Sequence, residues 1–152
     1  MAGIRPAINI GISVSRVGGS AQTKAIRQVA SRLRLDMAAY RELAAFALFA
    51  SDLDKTTQQQ ISRGQRLQEV LKQAQYEPVS MENEVIVLFA SINGFADPIP
   101  VERMKSWENE LVHFMDTSHP EIGKEICEKK LISKENEATL RQALESYNLT
   151  WR

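Results

Sequence analysis

The chain has no proline between Pro6 and Pro78 and no glycine between Gly19 and Gly64. Because proline and glycine are the residues that most often end helices, this window allows a helix to run without interruption. Within it, apolar side chains recur mostly at steps of three and four residues, the spacing of one buried helical stripe. The pattern predicts a long helix in a mainly helical chain. Its stripe consists of Ile26, Val29, Ala30, Leu33, Met37, Tyr40, Ala44 and Ala47.

Further helices are predicted from capping residues, helix breaks and apolar spacing. Ser and Asp side chains favour helix starts, whereas Asn-Gly and a residue before proline favour helix ends. Around residues 44–50 the apolar positions spread over most of the circumference, which predicts that other helices enclose this end of the long helix. The signals together predict five to six helices. Those after the long one lie at about Lys55–Gln73, from near Ser80 to Asn93-Gly94, around Trp107 up to His119-Pro120, at Glu121–Lys130, and after a cap at Ser133.

One segment does not follow the helical pattern. From Pro6 to Val17, apolar and small or polar residues alternate, with Ile8–Val14 at the centre, and Gly18-Gly19 follows. Strict alternation predicts a half-buried β-strand, here ending in a glycine turn before a helix from near Ser20. A lone strand cannot satisfy its own backbone N–H and C=O groups. We therefore expect an orphan strand that pairs with a second copy or with a sheet formed by sequence missing here.

Composition narrows the class of partner. The 19 Lys and Arg residues balance 19 Asp and Glu, so the chain offers no broad basic field for nucleic acid, and no nucleic-acid partner is expected. The single cysteine, Cys127, cannot form an internal disulfide. No apolar run approaches the roughly 18 residues of a spanning helix, so a soluble chain is expected.

Few residues suggest catalysis. The stretch RVGGSAQTK resembles a phosphate-binding turn but departs from the P-loop pattern, because Lys24 follows Thr23 and precedes Ala25. Arg16, at the end of the predicted strand, has two interpretations that stay open: a solvated side chain, or a guanidinium presented to phosphate oxygens. Asp52 and Asp54 could be paired carboxylates, although helix capping explains them without chemistry.

Four stretches resemble one family in their order and spacing. They are AGIRPAINIGISVSRVGGSAQTKAIRQVA, YRELAAFALFASDLD, GQRLQEVLKQAQY and NGFAD, and they are similar to the alpha subunit of F-type, proton-translocating ATP synthases. The resemblance covers residues 2 to about 97. It implies that residues 1–22 are a remnant of a central α/β nucleotide-binding domain and that residues 23–152 form the C-terminal helical domain. The orphan strand would then be part of the truncated domain.

The resemblance also implies roles for single residues. Arg16 matches the arginine that the alpha subunit extends into the ATP site of a neighbouring beta subunit, a trans catalytic role. Arg5 and Pro6 match positions beside the adenine of the alpha subunit's own non-catalytic nucleotide. Gln73 and Gln75 match glutamines that approach the same base. A region of the alpha subunit near the rotating central shaft of the complex matches the turn that contains Ser51, Asp52 and Asp54.

The implied cofactors are ATP or ADP with Mg²⁺ in the full-length parent, with none expected for the fragment and no activity expected from it alone. The implied partners are beta subunits and the central gamma shaft, in a complex peripheral to an energy-transducing membrane. In isolation, the exposed strand would favour a homo-oligomer. An alternative interpretation is a free-standing helical interaction module whose strand augments a partner sheet.

Overall fold

The computed structural model describes residues 15–47, 53–73 and 76–151. Within these ranges the chain forms seven α-helices and one short 3₁₀ helix, and no described residue lies in a strand. The helices are α1 (Arg16–Ala21), α2 (Lys24–Ala47), α3 (Lys55–Val70), α4 (Met81–Ile92), α5 (Met104–Ser118), α6 (Pro120–Lys129) and α7 (Lys134–Thr150), with the 3₁₀ helix at Val101–Arg103.

The central element is α4. Its last eight residues, 85–92, are all buried, and it packs against α2, α3, α5 and α6. A helix that is apolar around its whole circumference needs neighbours on every side. The predicted start and end of this helix are confirmed: the Ser80 hydroxyl accepts a hydrogen bond from the Asn83 N–H at 3.4 Å, and the helix ends at Asn93, before Gly94 with φ +87°.

The long helix is confirmed as α2, and the buried side of its stripe consists of Ala25, Val29, Leu33 and Met37. The expectation that its far end is enclosed is wrong for the described residues, because Phe46 is 62% exposed. The next helix, α3, ends at Val70 rather than near Gln73. The last helix begins as predicted, with the Ser133 hydroxyl accepting a hydrogen bond from Asn136 N–H at 3.1 Å.

The N-terminal prediction needs correction. The core of the predicted strand, Ile8–Val14, lies outside the described residues. Its predicted end and the glycine turn, at Arg16, Val17 and Gly18-Gly19, form the helix α1 instead. The physical reason is local: the Ser15 hydroxyl accepts a hydrogen bond from Gly18 N–H at 2.9 Å and caps the helix, and neither glycine has the positive φ that a left-handed turn would require.

Long-range hydrogen bonds join helices that are far apart in the sequence. Gln28 on α2 donates its amide to Ile132 O at 3.0 Å and accepts from Ile132 N–H at 2.9 Å. Close by, the Ala25 N–H donates to Lys130 O at 2.8 Å. In the core, the Tyr147 hydroxyl donates to Trp107 O at 2.8 Å. These contacts hold α2 against the connection between α6 and α7 and hold α7 against α5.

Candidate functional site

Arg16 lies at the first position of α1, on the surface. No residue of α1 is buried, and Arg16 itself is exposed. Its backbone is held by the Ser15 cap and by the Ser20 hydroxyl, which donates to Arg16 O at 3.0 Å. Across residues 15–47, 53–73 and 76–151, the Arg16 guanidinium has no hydrogen-bond or ion-pair partner. The planar fork of this side chain is therefore open to a ligand from outside the described part of the chain.

Gln73 lies just beyond the end of α3, in the loop that leads to α4. Its side-chain amide donates a hydrogen bond to the backbone carbonyl of Glu77, four residues further along the chain. Within this loop Tyr76 has φ +68°, in the left-handed region, and its side chain is 91% exposed. Pro78 follows, and proline favours extended backbone in the residue before it. From Gln73 onwards, the described residues of this connection, Gln73 and residues 76–80, are all exposed on the surface.

Two adjoining clefts, of about 110 and 270 Å³, lie beneath Gln73. Both are lined by Gln73, Val79, Lys105 and Glu108. Glu108 is only 8% exposed, and its carboxylate accepts a hydrogen bond from Lys105 Nζ at 3.1 Å. Burial raises the pKa of the Glu108 carboxyl, and Lys105 only partly opposes this effect. The clefts thus combine a desolvated carboxyl, an ammonium group and amides beside the loop.

Asp54 lies at the opposite end of α3 from Gln73. Its carboxylate accepts hydrogen bonds from Thr56 N–H at 3.2 Å and Thr57 N–H at 3.3 Å, so the helix cap is confirmed. Hydrogen bonds from Thr57 and Thr56 lower the pKa of Asp54. The 16 residues of α3 span about 24 Å, at a rise of about 1.5 Å per residue. Asp54 and Gln73 therefore cannot touch one small ligand.

The two segments that carry Arg16 and Gln73 approach the same end of α4. The Thr23 hydroxyl, two residues after α1, lies 3.9 Å from the sulfur of Met81, the first residue of α4, which follows the Gln73 loop. The structure gives no direct contact between Arg16 and Gln73. The other predicted site residues lie outside the described residues: Arg5, Pro6, Ser51, Asp52 and Gln75.

Sequence patterns did not single out Tyr76 or Glu108. Tyr76 follows the two glutamines directly, and Pro78 close behind it was the available signal of a constrained turn. Glu108 carried no signal, because its burial depends on neighbours that are distant in sequence. In the part of the chain that the structure describes, no group of three or more His, Cys, Asp or Glu side chains is arranged to hold a metal ion.

Comparison with known proteins gives concordant matches. The family described as "ATP synthase alpha/beta chain, C terminal domain" matches residues 22–147. The ATP synthase subunit alpha of Aquifex aeolicus (strain VF5) is 52% identical over 145 residues, which cover 95% of this chain and 29% of that subunit. The chain thus spans less than a third of the length of this relative. Because the alignment covers so much of the chain, Arg16 and Gln73 both lie inside it.

Proposed function

The chain belongs to the ATP synthase alpha/beta family and corresponds to the C-terminal region of an alpha subunit, and on this premise we propose a non-catalytic role for it in the catalytic head. Residues 23–152 would form the C-terminal helical domain, and residues 1–22 would belong to the nucleotide-binding domain. The chain would help couple ATP synthesis or hydrolysis to proton transport. The observation that carries the proposal is the 52% identity over 95% of the chain.

Although the subunit itself would be non-catalytic, Arg16 is proposed to act in the catalytic site of a neighbouring subunit. It would reach the ATP site of a neighbouring beta subunit and neutralise charge that develops on the γ-phosphate in the transition state. An arginine supplied in trans contributes about 10³–10⁵ in rate in related phosphoryl transfers. Its exposure, its capped backbone and its lack of a described partner support this role. An arginine that was ion-paired within its own chain would have to break that ion pair before it could bind a phosphate group.

Gln73 and Gln75 are proposed to approach the adenine of the alpha subunit's own nucleotide, with Arg5 and Pro6 beside the same base. An amide suits an adenine edge, because it can both donate and accept a hydrogen bond. Gln73 is exposed, and although its amide N–H donates to Glu77 O, its amide oxygen has no partner among the described residues and could accept a hydrogen bond from the base. We propose that the full-length subunit binds ATP or ADP with Mg²⁺. No described residue is proposed to coordinate the Mg²⁺ ion.

The far end of α3 is proposed to face a different partner. Ser51, Asp52 and Asp54 would lie towards the rotating gamma shaft, and the separation of about 24 Å along α3 keeps this surface apart from the Gln73 loop. Assembly with beta and gamma subunits would place the chain at the periphery of an energy-transducing membrane. Among the described residues, no helix combines the length and apolarity that a membrane crossing needs.

The test is a chimera in which this chain replaces the matching region of the Aquifex alpha subunit, assembled with the other subunits of that enzyme. Arg16→Lys keeps the positive charge but loses the planar fork. We expect ATP turnover to fall by about 10³-fold, at the lower end for a trans arginine, while assembly measured by size-exclusion chromatography stays intact. The matched control is Arg27→Lys, at an exposed arginine on α2, which should leave turnover unchanged.

The outcomes separate the parts of the proposal. Near-normal turnover of the Arg16→Lys chimera would refute the trans role. Failure of the unmutated chimera to assemble would count against the chain as an alpha-subunit domain. A similar loss of turnover in the Arg16 and Arg27 variants would show that the effect is not specific to the proposed contact.

A further inference from the structure

Tyr76 has an unfavourable backbone conformation and an exposed aromatic ring, and no contact with the described residues offsets either. Its backbone has φ +68°, a conformation that costs a bulky non-glycine residue free energy, and its ring is 91% exposed. The other described non-glycine residue with positive φ is Lys130, at φ 56°. Lys130 caps α6 through its N–H to Ile126 O, and its own carbonyl accepts from Ala25 N–H. Lys130 therefore has a structural reason for its conformation, whereas no backbone hydrogen bond of this kind joins Tyr76 to the described residues.

The other two tyrosines show how this chain uses such rings elsewhere. The Tyr147 hydroxyl donates to Trp107 O at 2.8 Å, and its ring lies against Trp107. The Tyr40 hydroxyl donates to Gln68 at 3.3 Å, and its ring packs on α3. Tyr76 has no hydrogen bond by its hydroxyl and no ring contact with any residue in the described ranges. Strained backbone that presents an unused group is characteristic of ligand-binding sites.

Tyr76 lies three residues after Gln73, in the same connection between α3 and α4. The Gln73 amide donates a hydrogen bond to the backbone carbonyl of Glu77, the residue directly after Tyr76. Pro78 restricts the backbone of Glu77 on the other side. The constrained tyrosine is thus presented on the same surface loop as the amide that is proposed to approach a base.

We propose that Tyr76 is a base-contacting residue, whose ring offers its face to the purine of the nucleotide that Gln73 binds. This inference rests on the nucleotide site under Proposed function. A tyrosine ring suits such a contact, because its face is apolar and it loses little conformational entropy on binding. Loss of an aromatic platform under a base weakens binding by about 5- to 150-fold.

The experiment uses the assembled chimera and measures binding of radiolabelled ATP and of inorganic tripolyphosphate, which lacks a base. Three variants separate the ring from the backbone. Tyr76→Phe keeps the ring, Tyr76→Ala removes it and keeps a strained backbone, and Tyr76→Gly removes both. We expect Tyr76→Phe to bind ATP within about twofold of the unmutated chimera. Tyr76→Ala and Tyr76→Gly should lose about 5- to 150-fold for ATP and nothing for tripolyphosphate.

A Gln73→Ala variant distinguishes failure of this inference from failure of the proposed site. If Gln73→Ala weakens ATP binding and Tyr76→Ala does not, the role of Tyr76 is overturned and the nucleotide site stands. If neither variant weakens it, the nucleotide site itself is wrong. Equal losses for ATP and tripolyphosphate in Tyr76→Ala would indicate a damaged loop and also overturn the role. Loss of subunit assembly with unchanged ATP binding would assign the ring to a protein partner instead.

Discussion

Gly64 is the position at which a single methyl group should reveal how α2 and α3 fit together. It lies within α3, is buried, and has the ring of Tyr40 on α2 directly above it. A Cβ placed at Gly64 would lie 2.2 Å from Tyr40 Cγ and 2.5 Å from Tyr40 Cβ. Such distances are far below van der Waals contact, and the three nearest atoms, Cβ, Cγ and Cδ2, lie at the base of the tyrosine side chain and not at its far end. The tyrosine would have to leave its place.

We expect Gly64→Ala to destabilise the fold by about 2 kcal/mol. Overpacking a well-filled site costs about 1–3 kcal/mol, and the closeness of three Tyr40 carbons favours the upper end. Alanine returns about 1 kcal/mol relative to glycine in a helix interior. For a domain of this size, the net loss corresponds to a fall in melting temperature of about 4–8 °C. Thermal unfolding followed by circular dichroism measures it.

The sign of the effect should reverse when the ring is absent. In a Tyr40→Ala background the added methyl meets no ring, so Gly64→Ala should stabilise by about 1 kcal/mol through helix propensity alone. Gly123→Ala is the matched control in α6, because the nearest atom to its added Cβ is Glu82 Cγ at 3.6 Å, an ordinary contact. It should be neutral or stabilising. Stabilisation by Gly64→Ala in the unmutated background, or the same effect in both backgrounds, would refute the reasoning.

Two further predictions concern carboxyl groups. Because burial raises the pKa of Glu108 above its ordinary value, its ionisation opposes folding, and stability from this group declines as pH rises through the folded pKa. Glu108→Gln should therefore raise the free energy of unfolding at pH 7 in urea titrations, with the gain vanishing below pH 4.5; a loss at pH 7 would contradict the burial argument. Asp54 is the opposite case, since its lowered pKa stabilises the fold above pH 3.8 and this contribution disappears as pH falls through the folded pKa. Asp54→Ala should lower the melting temperature at pH 7, whereas Asp54→Ser should keep most of the original stability, because a serine hydroxyl can also cap the helix. Equal falls in melting temperature for both variants would contradict this expectation.

Local signals predicted most of the helix boundaries. Ser80, Asn93 and Ser133 were placed correctly, because a cap or a break depends on hydrogen bonds within three or four residues. The same local logic also explains the error at the N-terminus. Alternation extended the strand through Val17, whereas the Ser15 hydroxyl supports a short helix that the glycines can join.

The candidate site was only partly accessible from sequence. The local pattern left two interpretations of Arg16 open, and the proposed roles of Arg16 and Gln73 come from family resemblance. Tyr76 became notable only when its backbone angle and exposure were known together. Glu108 became notable only when α5 buried it beside the Gln73 loop. Strain and desolvation depend on the surroundings of a residue in three dimensions, and residue type does not report them.

The sequence by itself determined the helical class, the order of the helices and the membership of the family. These follow from periodicity, caps and long matching stretches, which are encoded within neighbouring residues. The tertiary structure decided which faces meet. Gln28 hydrogen-bonds with Ile132 across 104 positions of sequence, and Gly64 leaves space for Tyr40 on another helix. A helical stripe shows that a face is buried, but many partners can bury it equally well, and only the folded packing selects one.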